Sequence, residues 1–329
     1  MKYDIITIGD TTTDAFIDLE VAHVTCDKAH EHCTLSMPFA DKIPYKSLTV
    51  IPAVGNSSNV AVGLARLGLK SAIITAIGAD YHGRQILDVY AKEGVGKELV
   101  KVNRKMDTNY HFVLTYNAER TILVRHHPYT YVEPSKIGNA EWLYFSSMGE
   151  HTLPFHHKLA AFLKAHPKVK MGFNPGTFQL KLGKEKLKDI YRRTHVLFVN
   201  RGEAGTILNT NRLEAKHLLR ELHALGPKLI VMTDGPKGAY ASDGAEYYFL
   251  PPYPDPKPPV QRTGAGDATG TGVIAGLIYG LPLHEALRWG PVNSMSVVQH
   301  VGARAGLLKK SELLRLLKRA PKSYTPKTI

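Results

Sequence analysis

The sequence predicts an α/β fold: a three-layer α/β/α sandwich around a central, mostly parallel sheet, with a small β-rich lid. Three observations carry this. Short apolar strands alternate with helices through most of the 329 residues, the pattern of a parallel sheet covered on both faces. Two segments, Val21–Leu48 and Asn109–Arg125, break that rhythm. Late in the chain, VQRTGAGDATGTGVIAG (Val260–Gly276) places five glycines and one acid at the start of a helix.

The elements follow in order. Asp4–Ile8 is a β-branched run closed by Gly9, the first strand. Ser57–Leu67 has helical spacing at Val60, Ala61, Leu64, Ala65 and Leu67 and stops at Gly68. Ala72–Ala76 is a buried strand, and Gln85–Lys92 a helix ending near Gly94. In YHFVLTYNAERTILVRHH two alternating runs flank the turn Asn117-Ala118-Glu119, which reads as a hairpin. Leu143–Phe145, Val169–Phe173, Val196–Val199 and Leu229–Met232 are strands. Between them stand helices at Pro154–Lys164, Lys186–Tyr191 and Leu213–Leu225. Ala239–Ala241 pairs with Glu246–Leu250, and Pro251–Pro259 is a stiff surface connector. Helices near Asp267–Tyr279, Leu283–Gln299 and Ser311–Arg319 complete the chain. One domain over 1–329 is expected, with lid segments at about 10–50 and 104–130.

Apolar content of 43% and charged content of 22% exclude disordered and fibrous classes. No apolar run approaches the length of a membrane span, and MKYDIITIGD reads as a strand rather than a signal peptide. A soluble cytoplasmic protein without membrane partners is expected. Net charge is +13, which suits nucleic acid or anionic small ligands. The excess is partly terminal, with eight basic residues and one acid in Arg304–Lys327, and no aromatic-interleaved motif accompanies it. A solvated basic tail is favoured over a nucleic-acid site. The two cysteines, Cys26 and Cys33, cluster with His23, His30 and His32. That cluster reads as a metal site, a redox pair or a coincidence in a His-rich chain, and its spacing fits zinc poorly.

The glycine stretch is not a dinucleotide fingerprint, which belongs between the first strand and helix of a βαβ unit. It is not a Walker A loop, because no Lys-Ser/Thr follows. What remains is a glycine turn entering a helix N-terminus. Gly264 and Gly266 let backbone N–H groups converge on an anion where the helix dipole favours negative charge. Asp267 sits at the same place. An acid there is often only a cap, but beside a phosphate cradle it can accept the proton of an attacking hydroxyl. The arrangement predicts a kinase acting on a hydroxyl.

TGAGD followed by small residues resembles the second signature of the PfkB (ribokinase-like) carbohydrate kinases, and the resemblance spans nearly the whole chain in order. GDTTTD (Gly9–Asp14), VGNSSNVAVGLARLG (Val54–Gly68), IGADYHG (Ile77–Gly83), ERTIL (Glu119–Leu123), Asn200-Arg201-Gly202-Glu203 and TDGPKG (Thr233–Gly238) resemble the family's further motifs. The resemblance implies ATP-dependent phosphorylation of a hydroxymethyl group of a sugar. Asp267 would be the general base, and Gly264, Ala265 and Gly266 the anion hole. Asp14, Gly55 and Asn59, with Thr12 and Asn56 beside them, would grip substrate hydroxyls. Asn200 and Glu203 would order Mg²⁺ through water, and Thr233, Gly235 and Gly238 would border the nucleotide. A nucleoside acceptor is the alternative within the family, with Phe112, Tyr116, Tyr129 or Phe178 available to stack on a base. A sugar phosphate is a further option, motivated by Arg120 and Arg125. A non-catalytic sugar or nucleotide sensor is the alternative of another class. A homodimer through the lid is also implied.

Gln261-Arg262 stand where the family has an acid that helps form a monovalent-cation site, which weighs against potassium activation. Arg262 would instead supply charge near the phosphates. Val54 replaces the first glycine of a pair, narrowing that wall, and Thr269 replaces an aromatic.

Overall fold

The computed structural model describes residues 2–27, 33–117 and 119–329. A ten-stranded sheet forms its centre. Seven strands run parallel, in spatial order Val100–Asn103, Ser71–Gly78, Ile5–Ile8, Trp142–Phe145, Lys170–Phe173, Val196–Asn200 and Leu229–Thr233. Ala239–Ser242, Tyr247–Leu250 and Lys327–Thr328 then add antiparallel. Strand residues are buried on both faces. Ile6, Ile8, Leu143, Phe145 and Phe173 pack under the helices Leu153–Ala165, Lys188–Arg193 and Ala215–Ala224. Ile5, Trp142, Tyr144 and Val231 face the other layer, which contains Asn56–Arg66, Ala265–Ile278, Leu283–Val297 and Lys310–Lys318.

Chain order reverses beside the first strand, so Ile5–Ile8 and Trp142–Phe145 flank a topological switch point. In open α/β sheets the crevice at the C-terminal ends of such strands is where ligands bind. A second sheet rises from that edge. Its order is Tyr45–Val54, Thr12–Leu19, Tyr110–Tyr116 and Glu119–Leu123. Thr12–Leu19 runs antiparallel to the first of these and parallel to Tyr110–Tyr116. The two runs expected as a hairpin pair antiparallel, from Phe112↔Leu123 to Tyr116↔Glu119. Ala118 of the expected turn lies outside the described residues.

The structure differs from the sequence reading at two places and decides between readings at a third. Helix Lys186–Tyr191 is replaced by Thr177–Lys186 and Lys188–Arg193. Gly183, at φ 81°, interrupts the first of these and hides its period. Edge strand Val100–Asn103 was not anticipated, because one Val-Lys-Val-Asn alternation is too short to mark it. Cys26 and Cys33 are joined in a disulfide across the ribbon His23–Cys26/Cys33–Ser36. In that state neither sulfur is a thiolate for a metal, while His30 and His32 lie outside the described residues.

The small residues of Ala265–Ile278 set how closely it meets Leu283–Val297. A Cβ added at Gly272 would stand 2.4 Å from the Trp289 carbonyl oxygen. Gly272→Val therefore forces backbone apart in a packed core. We expect a loss of about 1–3 kcal/mol, read as a melting temperature lowered by roughly 3–10 °C.

Candidate active site

The helix Ala265–Ile278 starts at Gly264, whose φ of 80° is the left-handed turn that aims the first amides outward. Two clefts meet there. One, of about 230 Å³, is lined by Thr233, Gly235, Gly238, Arg262, Ala265 and Gly266, with apolar walls from Pro252, Tyr253, Met295 and Val298 among others. The other, of about 450 Å³, lies under the small sheet and contains Thr12, Asp14, Gly55, Asn56, Asn59, Gly264 and Asp267. The site residues read from the sequence thus fall into two groups on either side of one helix terminus. Asn200 and Glu203 line neither cleft.

Asp267 is 7% exposed. Its Oδ1 accepts from Asn56 Nδ2 at 2.9 Å and its Oδ2 from Asn59 Nδ2 at 2.7 Å. Burial raises its pKa to about 6, against the two asparagine hydrogen bonds, which lower it. Asn56 and Asn59, read from the sequence as substrate ligands, therefore spend their amide donors on this carboxylate. They sit on the first turn of Asn56–Arg66, one helical turn apart. The Asn59 Oδ1 is buried without a partner and remains an acceptor for an incoming hydroxyl.

Asp14 sits on the strand Thr12–Leu19, in register with His111. The 3.6 Å between His111 Nδ1 and Asp14 Oδ1 is too long for a hydrogen bond. Burial lifts Asp14 to about 7 and drops His111 to about 4, so the contact is not an ion pair at neutral pH. Asp14 Oδ1 is buried and unpartnered, free for a substrate hydroxyl. Thr12 donates its hydroxyl to the Asn109 carbonyl at 3.0 Å.

Sequence reasoning missed Asp10, His111, His126 and Lys181, which line the same cleft. Asp10 Oδ1 accepts from the Tyr131 hydroxyl, and its Oδ2 lies 3.0 Å from His126 Nδ1. The signal for Asp10 was its place directly after Gly9 at the strand end; His126 and Lys181 carry no local signal. Of the four aromatics considered for a base, Phe178 alone lines this cleft. Tyr129 is buried, with its hydroxyl on the Asp107 carbonyl.

Asn200 and Glu203 form a reciprocal cap on the helix Arg201–Leu208, each side chain on the other's backbone N–H at 2.8 Å. Glu203 Oε1 makes no hydrogen bond among the described residues. Burial, with the charge of Asp267, raises the Glu203 pKa despite the Asn200 N–H, so positive charge beside it would be favoured. Among the described residues no group of three His, Cys, Asp or Glu could ligate a metal directly. This donor set fits a hydrated cation such as Mg²⁺. Arg262 lines the first cleft and acts electrostatically on Asp255 there. Gln261 Nε2 and Thr263 Oγ1 are buried without partners. Among the described residues no helix is long and apolar enough to cross a membrane.

Comparison with known proteins adds the following. Residues 39–310 match the pattern that defines the pfkB family carbohydrate kinases. A cytidine kinase of Thermococcus kodakarensis is 28% identical, over 75% of this chain and 88% of its own. A ribokinase of Haemophilus influenzae is 24% identical, over 87% of this chain and 95% of its own. Among solved structures, Arabidopsis thaliana ribokinase complexed with ribose and ATP superposes with a TM-score of 0.79 at 18% identity, over 97% of this chain and 99% of that one.

Proposed function

The chain belongs to the pfkB family of carbohydrate kinases, and from that premise we propose that it transfers the γ-phosphoryl group of ATP to a hydroxymethyl group of a sugar, with Asp267 as general base. The observation that carries the reading is the meeting of two clefts at Gly264–Asp267. The first, with apolar walls, accepts adenine, and its inner end reaches the amides of Ala265 and Gly266. The second places Asp267 where an acceptor hydroxyl would lie. The small sheet acts as the lid over it.

The chemistry follows from the residues. Buried Asp267 is ionised at neutral pH, and its carboxylate is held in one orientation by Asn56 and Asn59. It takes the hydroxyl proton as the oxygen attacks phosphorus. The backbone amides at the turn stabilise charge on the transferring group. Asn200 and Glu203 would hold a hydrated Mg²⁺, whose positive charge would offset that of the phosphates. Asp14 and the Asn59 oxygen would orient the sugar.

A coupled kinase assay over a panel of sugars and nucleosides tests this. Nucleosides enter because Phe178 lines the cleft and a cytidine kinase is among the relatives. Preference for a nucleoside would move the reading there, and ligand binding without turnover would make the protein a sensor. The pH profile is a second check. With the Asp267 pKa near 6, kcat/KM is expected to fall about tenfold per pH unit below that value. Asn59→Ala removes a hydrogen bond that favours the charged form, so its acid limb should move to higher pH.

A further inference from the structure

Two cations border the acceptor cleft without an ion pair to any of its acids. Arg120, Ile122 and Val124 line it from one stretch of chain, and the first two lie on the strand Glu119–Leu123. This alternation places Arg120 on the cleft face of that strand. Lys181 lines the cleft from the helix Thr177–Lys186. Its ammonium lies 5.6 Å from the Phe178 ring centre, and that ring meets His126 edge-on at 5.2 Å. Among the described residues neither Arg120 nor Lys181 makes an ion pair or a side-chain hydrogen bond.

Two of the three acids of the cleft are occupied elsewhere. Asp10 is taken by Tyr131 and His126, and Asp267 by Asn56 and Asn59. Asp14 is largely desolvated, with neutral His111 as its neighbour. A neutral polyol does not match this solvent-exposed guanidinium and ammonium. A carboxylate or phosphate does: the guanidinium fork matches its oxygens, and the ammonium adds a point charge. The net charge of +13 also draws anions toward the molecule.

We propose that the acceptor carries an anionic group, a carboxylate or a phosphate, seated on Arg120 and Lys181 while its hydroxymethyl group reaches Asp267. This rests on the kinase reading of the same cleft. Arg120 also borders a neighbouring cavity with the acids Asp18 and Glu119, neither of which it pairs with, and with Gln261 and Thr263, close to the donor side. The competing role for it is therefore the γ-phosphate of ATP, and the experiment must separate the two.

Steady-state kinetics with three acceptor pairs do so: 2-ketogluconate against fructose, fructose 6-phosphate against fructose, and ribose 1-phosphate against ribose. Wild type is compared with Arg120→Gln and Lys181→Gln. One anionic acceptor is expected to exceed its neutral partner at least tenfold in kcat/KM. Each substitution should cut that ratio by about tenfold, through acceptor KM and without a matching rise in ATP KM. The advantage should shrink as salt is raised. The carboxylate and phosphate pairs tell the two anions apart. Equal or better turnover of every neutral partner overturns the proposal. So does a variant that raises ATP KM and slows all acceptors alike, which would assign Arg120 to the donor. Calorimetric Kd values for the same pairs keep the two readings apart. Anion preference without turnover supports the anion site while sinking the kinase reading, and equal Kd values overturn the anion site itself.

Discussion

Asp267→Asn is expected to lower kcat by about 10²–10⁴-fold, with ATP KM nearly unchanged. The amide keeps the size of the carboxylate but cannot take a proton from the acceptor hydroxyl. It also presents one donor toward Asn56 or Asn59, so the pair that now orients the carboxylate would meet a mismatched partner. Lost fold would not explain the lost rate. Asp267 has a folded-state pKa of about 6 against an ordinary 3.8, so the folded chain holds this proton more tightly than the unfolded chain. Stability from the group is full below about pH 4 and is lost as pH rises through 6. At neutral pH the buried charge costs about 3 kcal/mol. Asparagine removes that charge and returns part of the gain through the donor mismatch. The variant should therefore melt no lower than the parent at pH 7. Full activity in the variant would remove Asp267 from the base role.

The parallel sheet was legible because each of its main strands is buried on both faces. Val196–Val199 must then be apolar throughout, and Ile5–Ile8 nearly so with Thr7 its one polar residue, whatever packs on them. The helix at Ala265–Ile278 was legible because a glycine turn and a run of small residues adjoin in sequence. Four-residue edge strands and a helix broken at Gly183 carry too little local pattern to be read. The site divides in the same way. Asp14, early in the strand Thr12–Leu19, and the turn acid Asp267 sit in recognisable local contexts. The contacts of Asn56 and Asn59 with Asp267 span 211 and 208 residues, and no spacing rule encodes them. Chemistry alone suggested that amides suit sugar hydroxyls. Only the packing of Asn56–Arg66 against the glycine-turn helix shows that the carboxylate takes those donors first. Arg120 and His126 lie on one strand and the loop after it and Lys181 on a distant helix, and their meeting is a property of the tertiary fold.

Gly264→Ala is expected to cost both stability and rate, where Gly266→Ala costs ATP affinity alone. At Gly264 the backbone is left-handed at φ 80°, a conformation that costs an alanine about 1–2 kcal/mol. An added Cβ would also stand 2.3 Å from the Ala303 methyl carbon and 2.6 Å from the backbone carbon that bears it, so the turn must move. That movement carries the amides of Ala265 and Gly266 off the transferring phosphoryl group. Loss of aligned anion-hole donors lowers kcat by about 10²–10³-fold. Gly266 has no positive φ, and no heavy atom lies within 4 Å of its added Cβ. Alanine there keeps the fold and intrudes only on the donor cleft, so it should appear as a raised ATP KM at an unchanged melting temperature. The segment behind Gly264 has a second attachment. A Cβ on Gly302 would meet Ile51 at 2.3 Å, and Arg304 donates to the Pro52 carbonyl, both on the small-sheet strand Tyr45–Val54. Pressure on Ala303 from residue 264 is therefore passed toward the root of the small sheet. Ala303→Gly in the Gly264→Ala background removes the methyl group that overlaps most and leaves the close approach to the backbone behind it. The double variant should regain part of the lost melting temperature and part of the lost kcat together. Recovery of stability without recovery of kcat would mean that the turn does not position the amides for catalysis.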